Sequence, residues 1–175
     1  MSAIDARKRY PSEFPTLIRF GFILAAGVVL LDQATKYLII HYVMASQRVI
    51  EVTSFFNIVM VWNKGVSFGL FATHSTWTQF VLGAFAILIT LVLVAWLRKA
   101  QTSWLASALG LLIGGALGNV IDRVVYRQVA DFLDFHALGY HWPSFNVADI
   151  AISCGVVMLV FDGLITKRRN NRFRY

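Results

Sequence analysis

The chain has 175 residues, of which 58% are hydrophobic and only 14% charged, and its formal net charge is +7. A soluble domain carries about 25% charged residues, and a globule of this size needs a polar exterior that such a composition does not supply. The same numbers exclude a disordered tail, a collagen-like repeat and a disulfide scaffold; the single cysteine, Cys154, pairs with nothing inside the chain and builds no multi-cysteine zinc site. A small membrane protein remains, read as one domain over residues 1–175.

About 20 apolar residues in helical conformation cross a bilayer core. In chain order, spans are expected at about 17–40, 77–97, 104–121 and 144–165. The first follows Arg7, Lys8 and Arg9 and contains Asp32 and Lys36. It runs too long for a signal-peptide core, and Met44-Ala45-Ser46 is a poor cleavage site, so it is read as a retained helix. The second carries no charge. The third is rich in glycine, with Gly110, Gly114 and Gly118 four apart, which predicts close helix packing. Cys154, mid-way along the fourth among apolar neighbours, is expected to be a buried, inert thiol.

Basic residues set orientation. Arg7, Lys8, Arg9, Arg19 at the edge of the first span, Arg98, Lys99 and the tail Lys167, Arg168, Arg169, Arg172 and Arg174 fall on one side, against Arg48, Lys64, Arg123 and Arg127 on the other. Both termini are therefore expected in the cytoplasm, and the basic balance reads as topology rather than as a nucleic-acid footprint. The tail either lies on the anionic inner leaflet or is disordered. The outer loops are β-rich in composition: residues 47–71, above all 49–62, and residues 124–135. A small sheet at the outer face is expected, built mainly from the first loop.

Charges inside spans are costly, by about 2.5–3.5 kcal/mol each on insertion scales, and each needs a reason. Asp32 and Lys36 share a helix face and read as a neutralised structural pair. Asn119, Asp122 and Arg123 fall at i, i+3 and i+4; Asp122 and Arg123 form an ion pair, or Arg123 binds a substrate carbonyl or lipid head group, and the spacing does not choose. Asp131, on the loop returning from the third span, and Asp149, at the outer start of the fourth, reach the same membrane face from different elements. Asn146 shares a face with Asp149, and Pro143-Ser144 reads as the helix start, which puts Asp149 near the positive end of the dipole. Two carboxylates brought together share a proton, one serving as base on water while the other donates; spacing alone equally allows two unrelated interfacial acids.

Leu31-Asp32-Gln33-Ala34-Thr35-Lys36, Trp62-Asn63-Lys64-Gly65-Val66-Ser67-Phe68-Gly69, Gly114 to Arg123, Val129-Ala130-Asp131-Phe132 and Phe145-Asn146-Val147-Ala148-Asp149 follow one another in that order. In this the chain resembles lipoprotein signal peptidase, or signal peptidase II, a family of bacterial inner-membrane aspartic proteases. The resemblance implies a four-helix membrane fold with a periplasmic β-sheet subdomain. It implies a catalytic dyad of Asp131 and Asp149, with Asp32, Lys36, Asn63, Gly65, Asn119, Asp122, Arg123 and Asn146 supporting or lining the site. It implies a prolipoprotein substrate cut just before a cysteine carrying diacylglycerol, membrane lipids as surroundings, no metal or cofactor, no nucleic acid, and action as a monomer. Trp62, Lys64 and Ser67 depart from residues common in the family. Three rival readings stand beside this one, and the third, a structural assembly factor, leaves the paired acids unexplained. A metalloprotease has only His136 and His141 to draw on, without a His-Glu-x-x-His pattern. A proton- or ion-coupled carrier needs acids near the midplane of several helices.

Overall fold

The computed structural model describes residues 13–46, 48–65 and 76–172, the side chains at 13, 14, 76 and 165–172 excepted. Among the described residues four helices, α1 (Glu13–Leu38), α2 (Thr76–Leu97), α3 (Ser103–Tyr126) and α4 (Val147–Arg172), carry a small sheet at one end. Four segments among them, Pro15–Val43, Trp77–Leu97, Ser103–Tyr126 and Val147–Leu164, are long and apolar enough to cross a membrane. α1 finishes in a π-helical turn, Ile39–Val43, and leads into strands β1 (Val49–Thr53) and β2 (Phe56–Asn63). β3 (Val129–Ala137) and β4 (Tyr140–His141) lie between α3 and α4. The sheet is antiparallel throughout, in the order β1-β2-β3-β4. It sits where α1 and α3 end and where α2 and α4 begin.

α3 is the central helix and packs against the other three. Small residues make this possible. A Cβ on Gly114 would stand 2.6 Å from the Ala25 carbonyl oxygen of α1, and one on Gly115 would stand 2.5 Å from the Ala148 carbonyl oxygen of α4. The expected glycine stripe is thus the seam between α1 and α3, and Gly115 opens a second seam toward α4. By contrast α2 exposes Trp77, Val81, Phe85, Leu88, Leu91 and Val92, an outward apolar surface suited to lipid.

Several boundaries differ from the sequence reading, each for a physical reason. α3 runs five residues past Ile121 and stops at Tyr126, with Arg127 in the left-handed region at φ 60°. Asp122 does not end the helix because it is fully buried and paired. Val124 and Val125 are therefore helical, and the second β-segment starts only at Val129. It supplies two strands of the four, and β3 holds the sheet's longest buried run. α4 begins at Val147 rather than at Pro143-Ser144, because Phe145 bonds back to Leu133 as an isolated bridge. Cys154 is exposed, not buried, because it lies on the outward apolar side of α4. Residues 66–71 of the first β-rich region, with Ser67, and the basic residues Arg7, Lys8, Arg9 and Arg174 lie outside the described residues.

The glycine seam makes a direct prediction. Gly115→Ala forces a methyl onto the backbone of α4 and is expected to lower stability by about 1–3 kcal/mol, whereas Gly27→Ala, with nothing within 4 Å of the new carbon, is expected to leave it unchanged. Thermal unfolding of both variants in one detergent compares them.

Candidate active site

The polar residues of α1 and α3 meet at Lys36. This side chain is buried, and its ammonium lies 2.9 Å from Asp32 Oδ2, 2.8 Å from Asp122 Oδ2 and 3.1 Å from Asn119 Oδ1. An ammonium has three N–H donors and here meets three acceptors. Buried charges persist in a fold only when paired and hydrogen-bonded in this way.

Each carboxylate has a second task. Asp32 Oδ1 accepts the backbone N–H of Ala148 at 2.9 Å, and Asp122 Oδ2 accepts that of Ala130 at 3.1 Å. Ala148 precedes Asp149 in α4, and Ala130 precedes Asp131 in β3. The ion cluster thus grips both elements one residue before each acid. Gln33 closes it from the side, donating to Asp122 Oδ1 at 3.0 Å and to Asp32 Oδ2 at 3.1 Å.

Asn146 joins the two acids. It is the N-cap of α4, where its Oδ1 accepts the Asp149 N–H at 3.0 Å while Asp149 Oδ2 accepts the Asn146 N–H at 3.2 Å. This reciprocal box satisfies two otherwise unpaired donors at a helix start. It leaves the Asn146 Nδ2 free to donate to Asp131 Oδ1, at 2.7 Å. Asn119 Nδ2 donates to Asp149 Oδ1 at 2.9 Å, and Asn63 Nδ2 donates to Asp131 Oδ2 at 3.0 Å. All four carboxylate oxygens therefore receive an N–H.

The turn that carries Asn63 is held in its own right. Gly65 N–H donates to Asn63 Oδ1 at 2.9 Å, and Arg123 Nη2 donates to the Gly65 carbonyl at 3.1 Å. Arg123 Nη1 donates to the Asn119 carbonyl at 3.1 Å, and its Nε is buried without a partner among the described residues. Neither sequence reading of Arg123 describes these contacts: Asp122 pairs with Lys36, and the guanidinium binds two main-chain carbonyls of its own chain.

Asp131 is buried, at 2% exposure. Burial, then the neighbouring charge of Asp149, pushes its carboxyl up to about 7 against the opposing amides of Asn63 and Asn146 and the charge of Lys36. Beside the acids lies a cavity of about 510 Å³. Asn63, Asn119, Arg123 and Asp149 form its polar end, and Leu82, Phe85, Ala86, Ile89, Leu93, Leu112, Ala116 and Ile152 form an apolar trough between α2, α3 and α4. Such a space suits a ligand with a long apolar part and one polar junction.

The structure thus brings together Asp32, Lys36, Asn63, Gly65, Asn119, Asp122, Arg123, Asp131, Asn146 and Asp149. Two contributors escaped the sequence reading. Gln33 lies one position from Asp32, on a different helix face, so helical spacing did not select it. Gln79 of α2 is buried and donates to the Lys64 carbonyl, which steadies the same turn; its only signal was an amide in an otherwise apolar span. His136 and His141, the metal candidates, stack on one another, and His141 Nδ1 bonds Asp134 at 2.9 Å.

Comparison with known proteins points one way. Residues 24–165 match the family described as Signal peptidase (SPase) II. A lipoprotein signal peptidase of Rhodopseudomonas palustris is 42% identical over 155 residues, covering 86% of this chain and 94% of the relative. One of Tolumonas auensis is 45% identical over 147 residues, covering 82% and 89%. Two solved structures described as bacterial membrane enzymes superpose with TM-scores of 0.73 and 0.69 at 33% and 32% identity. They cover 86% and 82% of this chain, and 90% and 92% of theirs.

The raised Asp131 carboxyl predicts a pH dependence of stability. A group that binds its proton more tightly when folded stabilises the fold below its unfolded pKa and loses that contribution as pH rises through its folded one. With 3.8 as the ordinary value and about 7 in the fold, the parent protein is expected to lose stability between about pH 4 and pH 8 relative to Asp131→Asn. Unfolding midpoints of the pair across that range provide the check.

Proposed function

The chain belongs to the signal peptidase II family, and from that premise we propose that it is an aspartic endopeptidase with Asp131 and Asp149 as its catalytic dyad. It removes signal peptides from prolipoproteins. The bond cut is the one before a cysteine already modified with diacylglycerol. The observation that carries the dyad is the shared carboxamide: Asn146 holds Asp149 through its oxygen and Asp131 through its nitrogen.

The chemistry follows from the surroundings of each acid. Asp131 is buried beside another carboxylate and is pushed up to about 7, so a protonated form is well populated near neutral pH. Asp149 takes a backbone N–H in the first turn of α4, where the helix dipole favours negative charge. Asp149 therefore serves as base toward a water molecule, while the Asp131 proton hydrogen-bonds to the scissile carbonyl oxygen. Water attacks the carbonyl carbon and gives its proton to Asp149. The tetrahedral intermediate then collapses as the leaving amine takes that proton, without an acyl-enzyme. The pair titrates as a unit, so this assigns one microstate of two.

The apolar trough suits the signal peptide and the acyl chains, with the polar junction at the acids. Five basic residues, Arg98, Lys99, Lys167, Arg168 and Arg169, cluster at the end of the bundle away from the sheet in the order of the chain. This supports cytoplasmic termini and a dyad near the periplasmic face of the bacterial inner membrane. The protein acts as a single domain and a monomer, with lipids around it and no metal or other cofactor. A carrier is not favoured, since the two acids gather at one end of the bundle and α2 has no charge.

Asp131→Asn and Asp149→Asn are each expected to slow cleavage of a lipidated precursor peptide by about 100- to 10,000-fold, with folding checked by unfolding midpoint. Cleavage at the parent rate by either variant would overturn the dyad. The same peptide without diacylglycerol is expected to be a far poorer substrate.

A further inference from the structure

The hairpin of β3 and β4 ends in a turn whose apolar side chains the fold does not use. Ala137 pairs with Tyr140, so Leu138 and Gly139 make the two-residue connection. Both have positive φ, 51° at Leu138 and 82° at Gly139, as a tight hairpin turn that follows the twist of its strands requires. Gly139 adopts that conformation freely, but a leucine is strained in it, and Asn, Asp or Gly is the ordinary choice. Burial does not offset the strain: Leu138 is 100% exposed, Tyr140 84% and Trp142 60%. The hairpin is nonetheless firmly held, since His141 Nδ1 bonds Asp134 at 2.9 Å and the Trp142 N–H donates to the Phe135 carbonyl at 2.8 Å. A strained, unburied apolar side chain on a fixed support points to something outside the chain that receives it.

The path of β3 shows what lies there. The Ala130 N–H is held by Asp122 of α3, and Phe132 packs on Ile39 and Met44 where α1 ends. Leu133 then pairs with Phe145, two residues before α4. The strand thus lies across the end of the bundle, touching three helix ends in turn, rather than standing off it. Leu138 is five residues beyond Leu133, about 16 Å of extended chain, against a helix radius of about 5–6 Å. The tip therefore overhangs the bundle at the level where the helices leave the bilayer. Exposed aromatic rings mark that level, Tyr37 and Tyr42 where α1 ends and Trp77 where α2 begins, as is usual where spans meet the head groups. From Phe135 to Ala148 the chain holds no Asp, Glu, Lys or Arg. A charge-free aromatic tip in that place suits lipid, whereas a protein-binding patch normally carries a polar rim.

We propose that the tip of the β3–β4 hairpin is a lipid anchor. Leu138, Tyr140 and Trp142 seat in the leaflet beside the sheet, at the boundary between head groups and acyl chains. Leu138 supplies the apolar point, and Tyr140 and Trp142 keep their polar atoms toward water. The anchor fixes the far end of the strand that carries Asp131.

The test uses the full-length protein in vesicles of phosphatidylethanolamine and phosphatidylglycerol. A nitroxide on Cys154, the single cysteine and exposed on α4, gives the reading for a lipid-facing site. In Cys154→Ala, labels are then placed at Leu138→Cys and, in a separate protein, at Tyr140→Cys. Both are expected to meet oxygen more readily than a water-soluble nickel chelate, at a depth of about 5–10 Å. Adding Leu138→Asp to the Tyr140→Cys protein is expected to return its label to the chelate. A label at either position that meets the chelate first overturns the proposal. So does a label that meets neither reagent, which marks a cover of protein from a partner or a second copy. A Tyr140→Cys label that keeps its depth with Leu138→Asp overturns the role of Leu138. If Leu138→Cys does not fold, Tyr140→Cys decides alone.

Discussion

The structure depends on one buried ammonium. Lys36 sits between Asp32 and Asp122 at 2.9 and 2.8 Å, and all three side chains are buried. In a low-dielectric interior such a cluster is tolerated only when every donor and acceptor is satisfied. Here the satisfaction extends outward, because the carboxylates also hold the N–H groups of Ala148 and Ala130. Pairing a charge and placing two acids are thus the same event. The helices α1 and α3 come close enough to build the cluster because Gly114 and Gly118 leave room along the seam.

From Lys36 the donor sense of the amides follows. Asn119 must turn its oxygen to the ammonium, so its nitrogen faces Asp149. Asn146 must turn its oxygen to the Asp149 N–H, so its nitrogen faces Asp131. Neither carboxamide has a second orientation that keeps its bonds. Burial raises the energy of charge on the acids and these donors lower it. The balance leaves Asp131 near neutrality in its titration, suited to a pair that shares one proton.

The helical part of the fold was readable because apolar runs of about 20 residues have few other uses. Its boundaries were less so, since a charge at the edge of a span looks like an exit. Asp122 is a charge that stays inside, and α3 continues past it. The partners of Asp122 and Arg123 were also hidden. Adjacent helical residues point about 100° apart, so their nearness in sequence carried no pairing, and the true partner of Asp122 lies 86 positions earlier on α1. The pairing of Asp131 with Asp149 was open on spacing alone and was brought forward by the resemblance; the physical link between them is the cap residue Asn146. The partners of Gln33 and Gln79 lie on other elements and required the three-dimensional packing to be seen.

The most direct measurement is a crystal structure of the protein with a peptide inhibitor carrying a secondary hydroxyl in place of the scissile carbonyl. That hydroxyl is expected between Asp131 and Asp149, within hydrogen-bond distance of both carboxylates, while Asn119 and Asn146 keep their bonds to them. A bound inhibitor whose hydroxyl touches neither acid, or acids too far apart to reach it together, would contradict the account.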